Sequence, residues 1–244
     1  MNNCNPIDTT FDFRLDTPQG EDPDTLSSTL CRYHKLLWSK RLPGGSLFDL
    51  TYKRAPFYLN HSSDLGEFLL SSDTVIPTFR KQKKLSRAFG QFPEDMMNFG
   101  GLGYTIGGMM VFPAKQVNKK WTINQERGCK KKIRDRFDLT LECIRRHYSG
   151  GASPLSEVLA RYTSFFHLFG DFRRYVDFFL LQDLVADDCE AVRFFSPFDD
   201  FKSSPVPSGV GAYLEYRDNA IDFLTARNNR IREWSEIHLG QPAE

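Results

Sequence analysis

Within the stretch DRFDLTLECIRRHY, Asp135 to Tyr148, an imidazole and two carboxylates stand close enough in sequence to trade a proton: His147, Asp138 and Glu142. Arg136 and Arg146 lie on the same stretch, and Asn124 and Arg127 lie just before it, as directed donors suited to phosphate oxygens. These seven residues are the candidate site, with the first three in catalytic roles and the last four as ligand contacts. The spacing explains how one element carries them. Ile133, Phe137, Leu141, Ile144 and Tyr148 recur at helical intervals, so one face of a helix must meet a core. Arg134, Asp135, Asp138, Glu142, Arg145 and Arg146 fall on the opposite arc, where Arg134/Asp138 and Glu142/Arg146 are four apart and able to pair. Arg136, Cys143 and His147 occupy the shoulder. Such a helix either braces a fold with ion pairs or presents polar groups to a ligand, and residue types alone decide for neither.

Charge is unevenly spread along the 244 residues, although the net value is only +1. Residues 1–79 hold 7 basic and 10 acidic side chains, residues 80–146 hold 16 and 6, and residues 147–244 hold 9 and 15, giving −3, +10 and −6. A middle this basic suits a polyanion, nucleic acid above all, because Lys and Arg contacts to phosphate supply most sequence-independent affinity. The alternative is that it neutralises the acidic last third inside the fold.

Other constellations are weaker. Gly100, Gly101, Gly103, Gly107 and Gly108 invite a phosphate-loop reading, but no Gly-Lys-Ser/Thr follows, so a close-packed strand is expected. The five histidines show no metal-ligand spacing, and no metal site is expected. Arg161 and His167 resemble the loose Arg-x(4–6)-His pattern of the helical HEPN ribonucleases, except that Tyr162 replaces the polar residue that commonly follows the arginine. Asp199-Asp200-Phe201-Lys202 faintly resembles the end of a nuclease strand, yet Pro197 argues for an acidic turn. Asp177 and Asp183 sit in an apolar helical stretch and need partners, for which Arg136, Arg145, Arg146 and Arg227 are the natural candidates.

The elements that position these groups divide by composition into an N-terminal arm (1–29), a sheet-rich lobe (30–128) and a helical lobe (129–244), together one compact unit. The arm carries Phe11, Phe13 and Leu15 in alternation, as an edge strand would, and its tip is expected to be mobile. A helix follows from a Thr29 cap to Lys40; the segments LFDLTY, FYLNH, EFLLSSD and TVIPTF then read as an antiparallel meander. RKQKKLSR and a short helix around Pro93 to Met97 lead to a strand from Gly100 to Pro113, with Trp121 to Asn124 as its partner across a turn at Val117 to Lys119. Further helices are expected from Ser153 to Phe169, from 171 to 186 and from Ala212 to Trp234. With 22 Phe, the core must be rich in that residue.

Cysteines at 4, 31, 129, 143 and 189 show no CxxC spacing, which points to free thiols in a reducing cytoplasm. No signal-like opening and no run of roughly 18 apolar residues occurs, so no membrane partner is expected. YHKLLWSK at Tyr33 to Lys40, INQxRG at Ile123 to Gly128, DRFDLTLECIRRHY, YVDFFLLQDLV at Tyr175 to Val185 and RNxRI at Arg227 to Ile231 resemble an uncharacterised bacterial protein family. The resemblance runs from Phe11 to Ile231 and implies no activity, cofactor or catalytic residue. The expectation is an α+β protein, its N-terminal antiparallel sheet packed on a mainly helical second half. It binds or acts on nucleic acid or another phosphorylated ligand through the Arg/Asn/His cluster; the alternative is a non-catalytic scaffold in which the Arg/Asp networks are structural.

Overall fold

A computed structural model describes residues 6–52 and 59–239. The expected mobile tip, residues 1–5, lies outside the described residues. The rest of the arm forms no strand. A 3₁₀ turn at Phe13–Asp16 buries Phe13, and helix α1 (Pro23–Leu26) follows an Asp22 cap. Helix α2 (Ser28–Trp38) is capped by Ser27, whose hydroxyl accepts from the Leu30 amide at 3.0 Å, and not by Thr29. Its buried face is Leu30, Tyr33, His34, Leu37 and Trp38, as the spacing requires.

Four strands make one antiparallel sheet in the order β1 (Thr51–Tyr52), β2 (Leu59–Ser63), β3 (Gly66–Thr74) and β4 (Met109–Pro113). Asn60 stands opposite Leu69, and Ser72 opposite Val111. TVIPTF leaves the sheet after Thr74, and β4 fills the place of its expected strand. Helix α3 (Ser86–Gln91) and helix α4 (Pro93–Gly103) precede β4, so the expected strand from Gly100 begins instead at Met109, after a 3₁₀ turn at Ile106–Gly108. Two of its glycines, Gly107 and Gly108, allow close packing. A Cβ on Gly108 would lie 2.1 Å from the Gly103 carbonyl oxygen, and one on Gly107 would lie 2.7 Å from Asn228 Oδ1.

Trp121 to Asn124 is not a strand either. Thr122 accepts from the Gln125 amide, and the Gln125 side chain accepts from the Thr122 amide, a reciprocal cap that starts helix α5 (Ile123–Cys129). Thr-x-x-Gln before an apolar position is a helix-start pattern, and here it outweighs the strand propensity of Trp and Ile. Thr122→Ala is expected to lower stability by about 1 kcal/mol in urea unfolding, since it orphans one helix amide.

The helical half contains α6 (Phe137–Ser149), α7 (Ser156–Arg161), α8 (Thr163–His167), α9 (Phe172–Phe178) and α10 (Val210–Leu239). Gly150 closes α6 at φ 74°, a left-handed cap that glycine adopts without strain. The expected helix from Ser153 to Phe169 is broken at Tyr162, whose hydroxyl donates to the Lys115 carbonyl at 2.9 Å. The stretch 171–186 is likewise not one helix: Leu180 at φ 53° ends α9, and Gln182–Leu184 is a 3₁₀ turn. The Phe-rich core sits here, where Phe169 meets Phe178 at 5.0 Å and Tyr175 at 5.3 Å between ring centroids. Asp183 pairs with Arg230 at 2.8 Å, not with the arginines expected for it, and Asp177 is exposed and accepts from Gln182.

Candidate functional site

Arg127 projects inward from α5 and is fully buried. Its guanidinium donates to the Asp73 carboxylate of β3, to Thr140 Oγ1 at 3.3 Å and to the Asp135 carbonyl at 2.6 Å. Burial raises the Asp73 carboxyl against the pull of Arg127. Asn124, one turn earlier, donates to Ser71 Oγ and the Ser72 carbonyl at 3.4 Å, and its own Oδ1 is buried without a partner.

Arg136 pairs with Asp138 and donates to the Pro205 carbonyl at 3.1 Å; Asp138 also accepts from the Phe195 amide at 3.0 Å. Helix α6 starts only at Phe137, so Arg134 precedes it and the expected Arg134/Asp138 pair does not form. Glu142 accepts from Arg145 at 2.8 Å and from Arg146 at 2.7 Å, and those hydrogen bonds hold its carboxyl below the ordinary range despite burial. Arg146 continues to Asp200 at 2.6 Å. Burial, with a smaller contribution from the charge on His167, lowers the pKa of His147, whose ring lies 5.1 Å from that of Phe166. Asp138 and Glu142 are therefore occupied as ion-pair partners, and His147 packs on an aromatic ring.

The open concavity is elsewhere. A cleft of about 1370 Å³ has none of Asn124, Arg127, Arg136, Asp138, Glu142, Arg146 and His147 in its lining. One wall is the segment 77–82 that leaves β3, another is α4 with Met96, Met97 and Asn98, and α10 adds Thr225, Asn229 and Arg232. Five cations line it, Arg14, Arg80, Lys81, Arg134 and Arg232, against the two carboxylates Asp12 and Asp135, an excess of three positive charges. Arg14 is paired with Asp12. Among the described residues, Arg80, Lys81 and Arg134 have no ion-pair partner. Two basic runs some fifty residues apart, RKQKK at 80–84 and KKKIR at 130–134, thus place cations on one opening.

Other polar groups that the sequence singled out are engaged by neighbours within the fold. Arg161 is tied to Glu157, Glu126 and the Trp121 carbonyl, and so does not stand free beside His167. Asp199 accepts from the Lys202 and Ser203 amides in a turn, while Asp200 belongs to Arg146. Among the described residues, Cys129, Cys143 and Cys189 are free thiols. No group of three His, Cys, Asp or Glu among the described residues is placed to hold a metal ion. No helix among them is long and apolar enough to cross a membrane.

The geometry defines a mixed α+β fold with a cationic cleft. The sequence model of a family of unknown function, DUF6994, matches residues 7–231, and the chain belongs to that family. Neither the curated proteins nor the solved structures contain a significant match.

Proposed function

We propose that the chain is a cytoplasmic protein that binds a phosphorylated ligand, nucleic acid foremost, in the cleft lined by Arg80, Lys81 and Arg134. The observation that carries this reading is the convergence of three unpaired cations from two distant basic runs on one open concavity. Unpaired guanidinium and ammonium groups facing water cost the free protein little and gain most when a polyanion releases its counterions. At about 1370 Å³ the cleft exceeds the roughly 300–1,000 Å³ of small-molecule sites, which favours an extended ligand over an isolated phosphate. Carboxamides of Gln82, Asn98 and Asn229 add donors and acceptors suited to base edges or sugar hydroxyls. Scattered free thiols support the reducing compartment.

Electrophoretic mobility of labelled single-stranded RNA and DNA over a salt series tests the reading. Retention should weaken steeply with salt, and the triple variant Arg80→Ala/Lys81→Ala/Arg134→Ala should flatten the log–log slope by about 2, near 0.7 per lost contact. Arg145→Ala, outside the cleft, should leave the slope alone. No retention of wild type at low salt removes the nucleic-acid version; thermal shift against mononucleotides then tests a small phosphorylated ligand. The second reading, a non-catalytic scaffold, is favoured by the ion pairs that already saturate Arg127, Arg136 and Arg146. It predicts neither retention nor thermal shift.

A further inference from the structure

Between α5 and α6 the chain turns through Arg134 at φ 49° and Asp135 at φ 63°, two successive left-handed residues that both carry a Cβ. That conformation is sterically disfavoured, more for Arg than for Asp, and persists only where the surroundings over-determine it. Here Arg127 supplies the constraint. The Asp135 amide donates to the Arg127 carbonyl at 3.1 Å, and Arg127 Nη2 donates back to the Asp135 carbonyl at 2.6 Å. Arg127 Nη1 also stands 4.0 Å from Asp135 Oδ1. The guanidinium is in turn fixed to Asp73 of β3 and Thr140 of α6, so the turn is anchored to both sheet and bundle. The Arg134 amide donates to the Lys130 carbonyl at 3.0 Å, which closes the other side.

We infer that Arg127 is a positioning residue for the cleft: sealed from any ligand itself, it holds the left-handed pair that presents Arg134 to the bound anion. The inference rests on the cleft reading above and deepens it. If the turn relaxed to negative φ, the Cα–Cβ bond of Arg134 would rotate away from its present direction, and one of three unpaired cations would leave the opening. The arginine that sequence spacing marked as a ligand contact then acts one layer beneath the ligand.

A double-mutant cycle with a fluorescent single-stranded oligonucleotide as the probe tests this. Arg127→Lys keeps a cation beside Asp73 but loses the fork that reaches the Asp135 carbonyl as well. Arg127→Lys and Arg134→Ala should each flatten the log–log salt slope by about 0.7, and the double variant should flatten it by no more than either alone. Independent losses that add, or an unchanged slope in folded Arg127→Lys, would overturn the positioning role and leave the cleft reading intact. Failure of the wild type to retain the oligonucleotide at low salt sinks both. Should Arg127→Lys not fold, Gly128→Ala serves in its place, because the new Cβ would press on Asp135 Oδ1 at 3.1 Å and disturb the same turn from a half-buried position on the cleft wall. Its effect should likewise vanish in an Arg134→Ala background; a loss that persists there counts against the inference.

Discussion

Arg227→Ala is expected to cost about 4 kcal/mol in denaturant unfolding, a large part of the roughly 5–15 kcal/mol that holds a typical domain together. Arg227 lies on α10, fully buried, and no carboxylate among the described residues pairs with it. Its Nη1 donates to the Gly107 and Met109 carbonyls at 2.9 and 3.0 Å, and its Nη2 to the Phe179 carbonyl at 3.1 Å. One side chain therefore ties the long helix to the entry of β4 and to the end of α9. Burial lowers its pKa to about 10, which still leaves it charged at neutral pH, stabilised by carbonyl dipoles. Truncation orphans three buried carbonyls and opens a cavity. Arg227→Met separates the two effects: it refills the volume without restoring a donor, and should recover roughly 1–2 kcal/mol of the loss. A loss below about 1 kcal/mol in Arg227→Ala would show that water or backbone rearrangement satisfies those carbonyls.

The same residue marks how far the sequence could be followed. The apolar spacing of α2, α6 and α10 was enough to place those helices, because a helix that meets a core must repeat its apolar positions. The antiparallel meander of β1, β2 and β3 was legible from short apolar segments set between turn residues. What spacing did not reveal were long-range polar partners. Asp183 needed a cation, but nothing local distinguishes Arg230, which takes it, from Arg227, which binds carbonyls instead. Glycines 100–108 looked like strand punctuation, whereas Gly107 and Gly108 answer to Asn228 and to the Gly103 carbonyl, contacts that exist only once α10 is docked.

The seven sequence candidates and the open cleft part company for a related reason. A helical wheel drawn through Arg134 assigns it to Asp138, but the helix begins at Phe137, and the left-handed turn at 134–135 sends Arg134 to the cleft instead. Charge density in residues 80–146 marks the segment that supplies Arg80, Lys81 and Arg134 to the cleft lining. It did not separate arginines that find acids in the fold, Arg127, Arg136 and Arg146, from cations that do not, Arg80, Lys81 and Arg134. That distinction depends on which carboxylates the topology brings within reach, and Asp73 and Asp200 come from 54 residues away in each direction.

Asp138→Ala should lose about 3–5 kcal/mol, because it strands a buried guanidinium. Arg136 and Asp138 are both buried, and the carboxylate accepts from Arg136 and from the Phe195 amide, while Arg136 also reaches the Pro205 carbonyl and lies over the Tyr216 ring at 5.6 Å. The pair thus clamps the start of α6 to the loop 195–205. Removing one partner leaves a charge with little solvent to replace its counter-ion, whereas removing both exchanges the ion pair for apolar contact. The double variant Arg136→Met/Asp138→Leu should therefore recover most of the loss, although the orphaned Phe195 amide and Pro205 carbonyl keep it below wild type. This pattern separates a brace from a proton-transfer role for Asp138. A brace predicts a large coupling in unfolding free energy and an unchanged oligonucleotide salt slope in any variant that folds. If folded Asp138→Asn flattened that slope while keeping wild-type stability, Asp138 would belong to the ligand site after all.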